Sequence, residues 1–365
     1  MTASRAAWVR LKALLRAEYA SLTTVNASDR GWQLPLAAAL ATGLPLLVGA
    51  WFGHLGYGLV SSLGGLVFLY TPNTPMSHRM VSLLASAFGL TSCYALGVLS
   101  QIYPPLTVLA LAVIATLVTM VCRFYRVGPP GSLFFAMAAA IGAYSPVELL
   151  EFPLFVGLLA LGCLLACAIA FIYSLMMLRR RAAEPVAPLP PASLDFVVFD
   201  SVVIGACVGL SLAIAQLLQL PRPYWVPVSC LAVIQGASFR AVWNRQVQRI
   251  LGTAVGLLVC WGLLALPLDA WRISLVMMAL VFIIESLVVR HYGVAAIFIT
   301  PLTILLAEAS SLGSGASGGI IMARLLDTVL GCLVGVFGGI CLHTPRFRAV
   351  LGGWMRRLLP RRLLP

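Results

Sequence analysis

Apolar residues along this chain neither alternate nor recur once per helical turn; they run in long blocks broken by short stretches rich in Gly, Pro and Arg. About twenty such residues, rising 1.5 Å each, cross a hydrocarbon core of about 30 Å. That ruler predicts twelve helical segments. They fall at 34–52, 57–70, 80–100, 105–122, 132–147 and 152–178 in a first half, and at 196–220, 224–236, 247–268, 271–289, 293–307 and 319–342 in a second. Segments 57–70 and 224–236 are short for a crossing, and as re-entrant loops they would leave five crossings per half.

The arginines decide between twelve crossings and ten. With twelve, and a cytoplasmic N-terminus, one side collects Arg5 to Arg30, Arg79, Arg123, Arg126, Arg179 to Arg181, Arg240, Arg245, Arg249, Arg290 and the arginines after residue 344. The other side keeps Arg222 and Arg272 beside Glu148, Glu151, Asp269 and Glu308. An excess of cations on the cytoplasmic side is what membrane insertion selects. Ten crossings would strand Arg123, Arg126 and Arg179 to Arg181 outside. The expected fold is therefore an all-α membrane protein of about twelve helices, with both termini in the cytoplasm of a bacterium and the helices in its inner membrane.

Six crossings per half make the halves parallel, and a shift of 167 positions aligns them. It pairs Tyr57 with Tyr224, Ser62 with Ser229, Gly89 with Gly256, Cys93 with Cys260, Arg123 with Arg290 and Tyr125 with Tyr292. A shift of 169 places Gly162-Cys163-Leu164 on Gly331-Cys332-Leu333. Matches of Tyr, Gly and Arg in register point to a fused duplication. The organisation predicted is an amphipathic helix over 1–30, a first six-helix repeat over 31–178, a Pro/Ala-rich linker over 179–195, a second repeat over 196–343 and a basic tail over 344–365. The two short segments occupy equivalent places, flanked or entered by Pro72, Pro75, Pro221, Pro223 and Pro227, where backbone groups are freed to line a path.

Composition agrees: 61% of the 365 residues are hydrophobic and 10% are charged, with a mean hydropathy of +1.01, outside the range of soluble domains. No room is left for a cytosolic catalytic module. The net charge of +13 does not point to nucleic acid, because the arginines stand at the ends of apolar blocks rather than on one polar surface. The nine cysteines lie within or at the ends of those blocks without metal-ligand spacing and read as small buried hydrophobes. No phosphate-cradling loop or hydrolase motif occurs, and no metal or cofactor is expected. In residues 1–30, Trp8, Leu11, Leu14, Leu15, Tyr19 and Leu22 share one helical face, opposite Arg10, Lys12 and Arg16. That is the pattern of a helix lying on anionic lipid.

Charge inside a membrane is costly, so each such residue is a candidate for function. Asp200, Glu285, Arg245, Arg249 and Arg290 are predicted at a common depth near the cytoplasmic side, where they would form one cluster. Arg245 and Arg249, four apart, share a helix face and would offer two positive charges to an anion entering between the halves. Neutralisation of these arginines by Glu285 and Asp200 is the structural alternative. Arg324 and Asp327, three apart, are expected to pair with each other on the last helix. Tyr224, Trp225, Phe239 and Trp243 are expected beside the basic group, either as stacking surfaces for planar acids or as anchors at the membrane surface.

The run Tyr224-Trp225-Val226-Pro227 to Gln235, followed by Arg245-x-x-x-Arg249-x-x-Gly252-Thr253-x-x-Gly256, resembles the fusaric acid resistance family of aromatic acid exporter-like membrane proteins. The resemblance implies export of aromatic or other weak organic acids, and it marks Tyr224, Trp225, Arg245, Arg249, Gly252 and Thr253 as residues of the substrate path. Many members carry a large soluble region between the halves; here only the short linker stands there, and His78 and Ser82 replace the arginine pair in the first half.

The expectation is thus an inner-membrane secondary transporter of organic anions, coupled to protons through Glu285 or Asp200. A passive anion channel and a non-transporting scaffold stay open as alternatives. The partners expected are anionic lipids and a small organic anion. The sequence leaves open a periplasmic adaptor and self-association.

Overall fold

The computed structural model describes residue 16 and residues 23–28, 30–145, 147–148, 150–186, 188, 195–308 and 317–358. The amphipathic helix expected over 1–30 lies, apart from Arg16 and 23–28 and Arg30, outside the described residues. Among those residues the regular structure is helical throughout. Twelve helices follow in order: α1 (Gln33–Trp51), α2 (Leu55–Gly64), α3 (Met76–Leu99), α4 (Thr107–Phe124), α5 (Leu133–Ala143), α6 (Phe152–Leu178), α7 (Asp200–Leu217), α8 (Trp225–Ile234), α9 (Phe239–Leu264), α10 (Ala270–Leu287), α11 (Tyr292–Glu308) and α12 (Ser317–His343). The expected basic tail contains a further helix, α13 (Pro345–Leu358).

Eight of these helices are long and apolar enough to cross a membrane: α1, α3, α4, α6, α7, α9, α10 and α12. The other four are shorter, and they stand second and fifth in each set of six. The expected short pair is therefore part of a larger set. α2 continues as a 3-10 helix from Gly65 to Tyr70, and because that form rises faster, the combined segment reaches about 27 Å. α8 has ten residues and spans only about 15 Å.

Apart from α13 and the polar first turns of α9, the helices are largely apolar on every side, and size rather than polarity separates inner faces from outer ones. Phe88, Leu161, Leu258 and Trp261 are exposed on the outside, whereas Ala38, Ala39, Ala41, Gly162, Cys163 and Ala166 are enclosed. Large residues facing outward and small ones between helices suit a lipid solvent, in which close backbone packing rather than apolar burial draws helices together. Gly162 lies against the Ser61 carbonyl, where α6 meets α2, and Gly331 against the Val226 carbonyl, where α12 meets α8. A Cβ at either would collide with backbone. All nine cysteines are buried and none is in a disulfide.

In the first half α1 packs on α2 and α6, α2 on α6, α3 on α5 and α6, and α4 on α5. The same neighbours recur six helices on: α7 with α8 and α12, α8 with α12, α9 with α11 and α12, and α10 with α11. Between the halves, α4 packs on α7 and α10 packs on α1. The half-length helices α5 and α8 meet at the centre, with the Tyr144 and Tyr224 rings 5.7 Å apart at one end and Gln235 Nε2 donating to Ser132 Oγ at 2.9 Å at the other.

Candidate functional site

The second half encloses the polar groups that matter. On α9, Arg249 lies about 15 Å from the helix start at Phe239, near the middle of the bundle. Gly252 and Gly256, one and two turns on, hold α9 against α11: Gly252 faces Ala296 and the Gly293 carbonyl, and Gly256 faces Thr300 and the Ile297 carbonyl. This close seam sets Tyr292, at the start of α11, beside Arg249, and Arg249 Nη1 donates to the Tyr292 hydroxyl at 3.0 Å. Its Nη2 donates to Ser229 Oγ of α8 at 3.3 Å. Arg245, one turn earlier, lies 4.7 Å from the centre of the same tyrosine ring. Two arginines thus gather on one tyrosine, by a hydrogen bond and by a cation–π contact.

One turn back from Ser229 along α8 is Trp225, 2% exposed. Its ring carries the Arg324 guanidinium of α12 at 4.1 Å. Arg324 Nη2 donates to Thr303 Oγ1 of α11 at 3.1 Å. Arg249 and Arg324 reach α8 one turn apart, at Ser229 and at Trp225. Several polar atoms of this core are enclosed without a hydrogen bond: Nε of Arg245 and Arg249, Nε and Nη1 of Arg324, and both carboxylate oxygens of Asp327. Thr253 and Thr300 line the same interior, both buried.

Beneath Arg245, at the end of the bundle where α9 begins, opens a cleft of about 480 Å³. Thr24, Asn26, Arg245, Gln248, His291 and Tyr292 line it. The segment before α1 reaches this mouth because Asn26 N–H donates to the Arg290 carbonyl at 2.8 Å. Space of this size accommodates a small organic molecule, and Arg245 and Tyr292 connect it to Arg249 above.

The structure separates groups that the sequence placed together. Asp200 accepts from Arg123 Nη1 at 2.7 Å and from Arg348 Nη2 of α13 at 2.9 Å, and Glu285 lies 3.7 Å from Arg30 Nη1. These acids stand at two different seams between the halves, α4 on α7 and α10 on α1. Among the described residues neither pairs with Arg245, Arg249 or Arg290, so the single cluster expected there does not form. Arg290 is exposed. Arg324 and Asp327 form no ion pair either, because Trp225 and Thr303 hold the guanidinium away. Of the four aromatics, Phe239 and Trp243 are exposed at the start of α9, whereas Tyr224 and Trp225 are buried at the start of α8, toward the other end.

The core also lies within one half, among α8, α9, α11 and α12, rather than between the halves. Sequence reasoning missed Ser229, Tyr292 and Thr303 as arginine partners, although Ser229 and Tyr292 are repeat-matched positions. It also read Arg79 only as a topology signal. Arg79 is buried in the first half, with Nε donating to the Thr74 carbonyl at 2.6 Å and Nη1 to Ser174 Oγ at 3.3 Å.

Fold and core together define a multi-pass α-helical membrane protein with enclosed cationic groups, most of them in the second half. Residues 207–338 match the family described as fusaric acid resistance protein-like, as the motif between Tyr224 and Gly256 led us to expect. The chain is 21% identical over 465 residues to an uncharacterized membrane protein, YvaC, of Bacillus subtilis (strain 168), covering 87% of this chain and 74% of that one. It is 29% identical to an uncharacterized protein, YhfK, of Escherichia coli (strain K12), over 45% of this chain and 24% of the relative. A third relative, the uncharacterized protein slr1298 of Synechocystis, is 28% identical over 36% of this chain and 17% of its own length. No solved structure matches the chain.

Proposed function

We propose that the chain is a secondary transporter that exports aromatic or other weak organic acids across the bacterial inner membrane. In this reading the chain crosses the bilayer twelve times as two parallel six-helix repeats, the half-length α5 and α8 meeting within it, with both termini cytoplasmic. Recurrence of the same helix neighbours in both halves supports the duplication. The gathering of Arg30, Arg123, Arg245 and Arg348 at one end supports its assignment to the cytoplasm.

The observation that carries the transport reading is the column of arginines. From the cleft inward, Arg245, Arg249 and Arg324 follow one another through an apolar bundle, and each keeps a donor without a partner. Buried guanidinium groups are expensive in lipid unless they serve a ligand or a pairing partner. Their planar donor forks suit carboxylates. The α9 motif shared with the family provides two of the three, and the Gly252 seam holds them in place.

Efflux of benzoate from proteoliposomes, with and without an imposed pH gradient, tests this reading against Arg249→Ala. Gradient-driven, saturable flux that the substitution abolishes is the expected result. Flux that neither saturates nor responds to the gradient would replace the transporter with a channel. No flux from well-inserted protein would leave a scaffold.

A further inference from the structure

We propose that Asp327 is a resident counter-ion that competes with the transported anion for Arg324. The proposal rests on the transport reading and adds to it a binding site for a carboxylate, together with the group that empties that site.

Arg324 and Asp327 are 5% and 1% exposed and stand one turn apart on α12. Side chains at that spacing meet across a helix surface, yet these two do not bond. The guanidinium is anchored elsewhere, with its face on Trp225 and Nη2 on Thr303. Nε and Nη1 are left open, and both Asp327 oxygens are enclosed without a donor. Unmet donors and unmet acceptors within one turn make a split ion pair. Each group separately is costly to enclose.

Two rearrangements relieve that cost. Asp327 can turn onto the Arg324 fork, which closes the site, or an incoming carboxylate can take Nε and Nη1, which fills it. Both cannot happen together, because Nη2 and the ring face are already committed. Loading then exchanges one carboxylate for another on the same guanidinium, and the arginine is never left bare during the cycle. The competition also keeps binding weak enough to reverse. A carrier needs this, because a buried Arg–carboxylate pair with no rival would hold its cargo.

The other charged or titratable groups around the pair are few. Arg249 comes from α9, Tyr224 from the start of α8, and Cys332 from α12 itself. α7 carries no charge beyond Asp200, and α11 none between Tyr292 and Glu308. No second acid among these helices substitutes for Asp327 at this depth.

The test is equilibrium binding of radiolabelled benzoate to the purified full chain, with monodispersity in detergent as the folding control. Asp327→Asn removes the rival and is expected to tighten binding about tenfold, or about 1.4 kcal/mol. Asp327→Glu keeps the rival and the parent affinity. Arg324→Gln, and the uncharged double variant Arg324→Gln/Asp327→Asn, lose binding. Unchanged or weaker binding by Asp327→Asn overturns the proposal, as does parent-like binding by either Arg324 variant. Loss of binding in Arg249→Gln with retention in Arg324→Gln moves the site to Arg249: the inference fails and the transport reading stands. No binding by the parent sinks both.

Discussion

Arg123 of α4 and Asp200 at the start of α7 join the two halves through a 2.7 Å contact between Nη1 and Oδ2. The opposite seam, α10 on α1, repeats the arrangement, with the acid, Glu285, on a helix of the second half and the arginine, Arg30, just before the first helix. The two seams differ in strength. Asp200 is held by two arginines at short range, whereas Glu285 has one at 3.7 Å whose side chain is 41% exposed.

Replacing Asp200 should therefore be the more damaging change. Asp200→Asn leaves Arg123 and Arg348 facing one another across a neutral amide, and breaking such a largely buried pair costs about 3 kcal/mol. A lowered Tm of the purified protein is expected, with partial recovery when Arg348→Gln is added. An unchanged Tm would mean that the seam is held by apolar packing alone.

Glu285→Gln should do little. A largely buried carboxylate with one distant partner gains little from it, and neutralising it shifts stability by no more than about 1 kcal/mol in either direction. Benzoate efflux is expected to persist. Loss of gradient-driven flux at normal abundance would make Glu285 a coupling group.

Tyr292 serves two arginines in different ways, so two substitutions separate them. Tyr292→Phe keeps the ring under Arg245 and removes the hydroxyl from Arg249, a loss of roughly 1.5–3 kcal/mol for a hydrogen bond to a charged group. Tyr292→Ala removes both contacts and is expected to lower the Tm further. Equal effects of the two would show that the ring contributes nothing.

Gly252 tests whether the motif glycine acts through packing. In Gly252→Val the new side chain meets Ala296 and the Gly293 carbonyl, which drives α11 from α9 at a cost of about 1–3 kcal/mol and carries Tyr292 away from Arg249. Gly262, on the same helix, faces open space, and Gly262→Val should leave both Tm and efflux unchanged. Equal damage from both would refer the effect to helix propensity.

The helices were legible in the sequence because lipid requires long apolar runs, and the bounds predicted for α1, α6 and α12 fall within a few residues of those found. Rotation of each helix was not legible. A segment apolar on every side carries no phase, so nothing in the pattern says that Arg123 faces Asp200 or that Thr303 faces Arg324. A signal for rotation did exist in the small residues. Gly331, Gly335 and Gly338 trace the stripe of α12 that faces α8, and continuing that stripe backwards reaches Asp327 and Arg324. Common depth alone suggested one cluster of Asp200, Glu285 and the arginines. Depth does not fix the position around the bundle, and the acids went to the seams while Arg245 and Arg249 turned inward.

The placement of the arginine column also bears on how a cargo would be released. Rigid rocking of one half against the other would part α4 from α7 and α10 from α1, and it would leave Arg249 and Arg324 as enclosed as before. Exposure has to come from a displacement inside the second half. α8 is the element that stands in the way: it is half the usual length, has prolines at 221, 223 and 227 about its first turn, and touches both arginines through Ser229 and Trp225, so a cargo reaching either guanidinium passes along it.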